Sequence, residues 1–128
     1  MTGMPGESIE PFSPFPEWES VAGRVAPYVG DRALALFVYA ISETMDARSA
    51  AARIRTRLGS ETIDLSRIEV TETERLLIDW GRAIATAPAA VDPAMASRVT
   101  AAFRPELRGL LVQLAALTVA TGVADLVG

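Results

Sequence analysis

The chain has 128 residues and contains neither cysteine nor histidine. That excludes disulfides, thiolate nucleophiles, zinc sites built from the usual Cys/His ligands and imidazole acid–base chemistry. Lysine is missing as well: all twelve basic residues are arginine, which removes Schiff-base catalysis and the lysine of a phosphate-binding Walker loop. No glycine-rich phosphate loop or dinucleotide fingerprint is present, and no useful run of strand-like alternation occurs. Sixteen acids oppose the twelve arginines, for a formal charge of -4, so neither nucleic acid nor an anionic membrane surface is an expected partner.

Half of the residues are apolar and 22% are charged, enough apolar side chains for a folded core. The length accommodates one domain. Twenty-two alanines and the exclusive use of arginine match the coding bias of a GC-rich, bacterial genome. Residues 1–16 read as an N-terminal arm, with Gly3, Pro5, Gly6, Pro11, Pro14 and Pro16, no basic side chain and no apolar run of signal-peptide length. Cytoplasmic localisation is the default expectation. Phe12 and Phe15 either dock on the domain or on a neighbouring subunit, or fray with the terminus.

Residues 17–128 form a single all-α domain. Pro16 followed by Glu17 and Glu19 opens a first helix that ends near Pro27. Asp31 caps a second, whose Leu34, Phe37, Val38, Ile41 and Met45 recur at helical spacing. Its register runs on to Leu58, where Gly59 supplies the stop. Ile63, Leu65, Ile68 and Val70 mark a short helix and a turn. Thr71 with Glu74 forms a capping box for a helix carrying Leu76, Leu77, Trp80, Ala83 and Ile84, which Pro88 stops. Asp92 and Pro93 start a short helix that reaches about Phe103, and Pro105 with Glu106 starts the last one. The uncharged stretch Leu110–Ala124 spans fifteen residues, about 22 Å of helix against a hydrocarbon core of about 30 Å. It reads as a helix buried in the bundle or at a subunit contact.

The polar residues with chemical potential gather on the second helix. Glu43 lies beside the apolar stripe, where a partly buried carboxyl acts as a general acid or base, and Arg48 is placed to hold an anionic group. Asp46, three residues beyond Glu43, joins it on one helix face as a ligand-binding residue, together with Arg53, the phenol of Tyr39 and Trp80. Solvation, local ion pairing and core packing are the structural roles open to these same residues. Tyr28 is the only other phenol. Glu43 and Asp46 lack the third and fourth oxygen ligands that a hard cation needs, so no metal and no cofactor is expected. Arg53, Arg55 and Arg57 distribute around their helix and form no continuous basic face.

Four features together resemble a known family over roughly Trp18 to Val127. They are Asp31–Leu36 leading into a long helix, the Arg57-Leu58-Gly59 end, Thr71-x-x-Glu74-Arg75 before a Trp-containing helix, and the closing helix Leu107–Ala124. The pattern is similar to the carboxymuconolactone decarboxylase and alkyl hydroperoxidase D superfamily. The resemblance implies an alkyl hydroperoxidase D-like helical bundle, assembled as a dimer, trimer or hexamer with pockets near subunit contacts. Redox members carry Cys-x-x-Cys-x-x-x-His on the long helix; counted back from Gly59, those positions hold Thr44, Ala47 and Ala51. Without thiolate and resolving partner, the thiol peroxidase reaction is closed to this chain. The absent histidine also counts against lactone decarboxylation. Two expectations follow: a non-redox, homo-oligomeric scaffold that binds a small organic molecule or a partner, or a cofactor-free enzyme acting on a small anionic substrate with Glu43 as acid/base and Arg48 or Arg53 positioning it.

Overall fold

The computed structural model describes residues 11–59, 62–87 and 91–128. Among them six helices and no strand occur: α1 (Pro16–Val29), α2 (Asp31–Thr44), α3 (Arg48–Leu58), α4 (Glu72–Thr86), α5 (Pro93–Ala102) and α6 (Pro105–Val127). The all-helical expectation is met. Helix α2 is the axis of the bundle. Every side chain from Ala33 to Ser42 is buried, because α1, α3, α4 and α6 all pack around it.

The helix starts follow the sequence signals. Thr71 Oγ1 accepts from the Glu74 amide at 3.1 Å, and Glu74 Oε1 accepts from the Thr71 amide at 2.9 Å, a complete reciprocal cap. Asp92 accepts from the Ala94 amide at 2.7 Å. Two expectations at α1 and α2 are corrected. Helix α1 continues through Pro27 to Val29; the proline has no amide to offer the carbonyl one turn back, which belongs to exposed Gly23 and so is open to solvent. The residue ahead of α2 is Gly30 at φ +92°, so Asp31 sits in the first turn and makes no cap bond. The segment before α4 is a turn without a helix: Asp64 accepts from the Arg67 and Ile68 amides, each at 3.0 Å, and Leu65 is buried beneath it. Pro88 lies outside the described residues; α4 ends at Thr86.

The largest correction lies between Thr44 and Arg48. The expected continuous helix is broken into α2 and α3 by Asp46, the one described non-glycine residue with positive φ, at +59°. The Asp46 amide donates to Glu43 O at 2.9 Å and the Ala47 amide to Ser42 O at 2.9 Å. This is the 5→2 and 6→1 pair of a Schellman end, with aspartate in the left-handed position that glycine usually takes. The elbow rests on α6. A Cβ on Gly122 would lie 2.9 Å from the Met45 terminal methyl and 3.3 Å from Ala47 Cβ, so glycine is what lets the chain turn this close to α6.

Aromatic side chains knit the core in two groups. Phe37, Trp80 and Phe103 stack across α2, α4 and the end of α5, with centroids 5.7 and 6.5 Å apart. At the other end Phe12, fully buried in the segment before α1, packs on Trp18 at 4.4 Å. The arm residues from Pro11 onward therefore dock on their own domain; those before it lie outside the described residues. Two buried hydroxyls of α6 complete this end. Trp18 Nε1 donates to Thr118 Oγ1 at 2.9 Å, and Ser13 pairs with Thr121 at 2.6 Å, while both threonines donate back to carbonyls of their own helix.

Helix α6 is 23 residues long and contains an 18-residue stretch of mean hydropathy 1.9, long and apolar enough by length and composition to cross a membrane. The length argument from its fifteen uncharged residues is thereby corrected. One face, Leu107, Leu110, Leu111, Leu114 and Ala115 with Thr118 and Thr121, is built into the core. The other face leaves Val112, Val123, Leu126 and Val127 exposed.

Candidate functional site

The break after α2 folds the chain back on itself and opens a cleft of about 260 Å³ at the elbow. Helix α2 contributes Tyr39, Ser42 and Glu43; the elbow contributes Asp46 and Ala47; α3 contributes Arg48, Ala51 and Arg55. Four of the six residues singled out from the sequence, Tyr39, Glu43, Asp46 and Arg48, thus meet in one place.

Tyr39 anchors the cleft. Its ring is buried, 3% exposed, and its hydroxyl donates to Glu43 Oε2 at 3.0 Å, with Ile63 O a further acceptor at 3.4 Å. Residues 39 and 43 are one turn apart on α2, the spacing at which helix side chains touch. Burial pushes the phenol above its ordinary value and the Glu43 carboxylate adds to the rise, while the nearby Arg55 guanidinium opposes it. Ser42 is fully buried and donates to Val38 O at 2.9 Å.

Three features differ from the sequence expectation. Glu43 is exposed, because α2 ends one residue later and no element covers its carboxyl. Arg53 does not reach the cleft. Its Nε donates to Phe12 O at 2.8 Å and its Nη2 to Asp125 Oδ2 at 3.0 Å, on the opposite side of α3. Trp80 is core, held between Phe37 and Phe103, and lines no part of the cleft.

Arg55 takes the place in the cleft that Arg53 was expected to fill. Its guanidinium carbon lies 5.9 Å from the Tyr39 ring centroid, and it forms no ion pair among the described residues. By contrast Arg32, Arg48, Arg53, Arg57 and Arg67 each bond a carboxylate. The sequence carried no direct signal for this contact. Along an unbroken helix the sixteen residues from Tyr39 to Arg55 would separate them by about 24 Å. The two acids do not gather a third ligand: no group of three or more carboxylates that could hold a metal ion occurs among the described residues.

Larger depressions exist elsewhere. A groove of about 660 Å³ between α1, α2 and α3 has an apolar floor including Ala22, Ala26 and Leu34. The arginines on its rim are already engaged, Arg57 by Glu19 and Arg32 by Glu74. The elbow cleft alone among these two combines a buried tyrosine, a guanidinium without a carboxylate partner among the described residues, and a carboxylate.

Compared with protein-family models, with curated proteins and with solved structures, the chain matches none.

Proposed function

We propose that this chain is a non-redox, divergent relative of the alkyl hydroperoxidase D-like proteins that assembles with copies of itself and binds a small polar molecule in the elbow cleft. The observation that carries the binding half is the convergence of Tyr39, Glu43, Arg48 and Arg55 on one concave surface. Convergent polar groups in a cavity are the ordinary mark of a ligand site. The family resemblance meets this geometry at Ala47 and Ala51, the positions of the second redox cysteine and the histidine. Both line the cleft, so the space left by the absent redox groups is part of the site.

Glu43 supports binding over catalysis. An exposed carboxyl lacks the water-excluded surroundings in which acid–base catalysis is usually built. The assembly half rests on α6, whose outer face carries no charge from Gly109 to Ala124 and exposes Val112 and Val123. A second copy covers such a face at less cost than a bilayer does, because drawing α6 into lipid would break the Trp18–Thr118 and Ser13–Thr121 bonds and open the core.

Light scattering on the intact chain tests assembly. The expected mass is a multiple of 13.6 kDa, falling to one subunit when Val112→Glu and Val123→Glu are combined. A monomeric parent protein overturns this half. For binding, amide spectra of ¹⁵N-labelled protein are titrated with small polar metabolites, and the expected shifts fall between residues 39 and 55. Shifts confined to the α1–α2–α3 groove would move the site there.

A further inference from the structure

We propose that the elbow cleft recognises a small zwitterion, a molecule with one ammonium and one carboxylate such as an amino acid. Glu43 takes the ammonium and Arg55 the carboxylate. This inference rests on the reading that the cleft is a ligand site, and it specifies the chemistry.

The argument starts from the distribution of charge. The buried Tyr39 side chain sits between opposite charges: its hydroxyl donates to Glu43 at 3.0 Å, and the Arg55 guanidinium lies 5.9 Å from its ring. Asp46 and Arg48 add one more charge of each sign, paired at 3.3 Å on the rim. The wall is therefore neutral in sum and dipolar in arrangement. A simple anion gains Arg55 but faces Glu43 and Asp46; a simple cation gains the acids but faces two guanidinium groups. Only a ligand that carries both charges satisfies both sides, and each like-charge approach counts against the alternatives.

Availability and size agree with this assignment. Arg55 has no carboxylate partner among the described residues, and its planar donor fork matches a ligand carboxylate in two-pronged fashion. Glu43 is already oriented by the Tyr39 hydrogen bond and keeps its other oxygen for an ammonium. Helix α3 starts at Arg48 behind the N-cap Ala47, which has no capping side chain, and adds the positive end of a helix to the same cleft. A volume of about 260 Å³ holds roughly nine waters at ~30 Å³ each, room for an amino-acid-sized molecule and too little for a nucleotide. The small side chains of Ala47 and Ala51 leave that room.

The test is calorimetric and NMR titration of the full chain with three probes of one skeleton: 4-aminobutyrate, butyrate and butylammonium, and with L-2-aminobutyrate as the α-amino counterpart. One of the two amino acids is expected to bind at least about tenfold more tightly than either single-charge probe. Glu43→Gln and Arg55→Gln are each expected to weaken it by roughly tenfold or more, with the unfolding midpoint unchanged. Glu43→Gln keeps an acceptor for Tyr39, so its effect reports charge. Butyrate binding as tightly as the amino acids, and more tightly still to Glu43→Gln, would overturn the zwitterion while leaving a small-molecule site in place; preference for butylammonium would do the same with the opposite sign. No shift of any cleft amide by any probe would sink the inference, and the broader metabolite titration then decides separately whether the cleft binds anything.

Discussion

Arg53 and Arg55 stand two residues apart on α3 and have opposite fates. Arg53 is spent: it bonds Phe12 O and Asp125, lies 5.5 Å from the Phe12 ring, and both partners of the ion pair are only 18% exposed. Arg55 has the Tyr39 ring beneath it and no carboxylate partner among the described residues. Two residues along a helix turn a side chain by about 200°, so one arginine closes the bundle over the N-terminal segment while the other opens on the elbow. The difference separates a side of the molecule where Arg53, Ser13, Thr118 and Thr121 are used for folding from a side where polar groups remain for a ligand.

The comparison breaks most visibly on the closed side. Trp18→Ala removes a fully buried ring, its packing on Phe12 and its bond to Thr118, and is expected to cost about 3–5 kcal/mol in urea unfolding. Arg53→Ala is expected to lose about 1–3 kcal/mol, since it strands Asp125 and the Phe12 carbonyl together. A double-mutant cycle with Asp125→Ala should show coupling, and strictly additive losses would mean that the pair is incidental.

The elbow itself comes next. Asp46→Gly is expected to stabilise the protein by roughly 0.5–1 kcal/mol, because glycine accepts φ +59° without the left-handed penalty, and the exposed Arg48 pair that it sacrifices contributes little. Asp46→Val should destabilise; a stabilising valine would show that the break is not held as described. On the open side Arg55→Gln should change stability by no more than about 0.5 kcal/mol while weakening ligand binding by roughly tenfold or more, the reverse of Arg53→Ala.

Titration gives the subtlest contrast. Because burial lifts the Tyr39 phenol, the folded protein favours the protonated ring. The resulting stability is whole below a pH of about 10, the ordinary tyrosine value, and fades as pH climbs through the raised folded value. Absorbance at the phenolate band in Tyr28→Phe, which leaves Tyr39 as the only tyrosine, should rise later than in the unfolded chain. Coincident curves would mean that the ring is more open than its burial indicates.

How far the sequence reached depended on the distance between the residues concerned. The Thr71–Glu74 box, the Asp92-Pro93 start and the Gly59 stop are local arrangements of three or four residues, and each is present in the structure. Tyr39 and Glu43, one turn apart, were likewise within reach. The elbow was not, since Met45-Asp46-Ala47 contains neither glycine nor proline and its alanine-rich surroundings favour helix. An unbroken helix puts Arg55 far from Tyr39, so it is the break that brings Arg55 rather than Arg53 to the cleft.

Composition by itself closed the thiol, imidazole and lysine chemistries, and helical periodicity by itself determined an all-α chain with most of its starts and stops. Both depend only on which side chains are present and how they repeat along a few turns. Tertiary structure decided where α2 ends, because the elbow needs α6 to offer a glycine at position 122 for Met45 and Ala47 to lie against. It also decided which arginine is free, because carboxylates 38 and 72 residues away had already claimed Arg57 and Arg53.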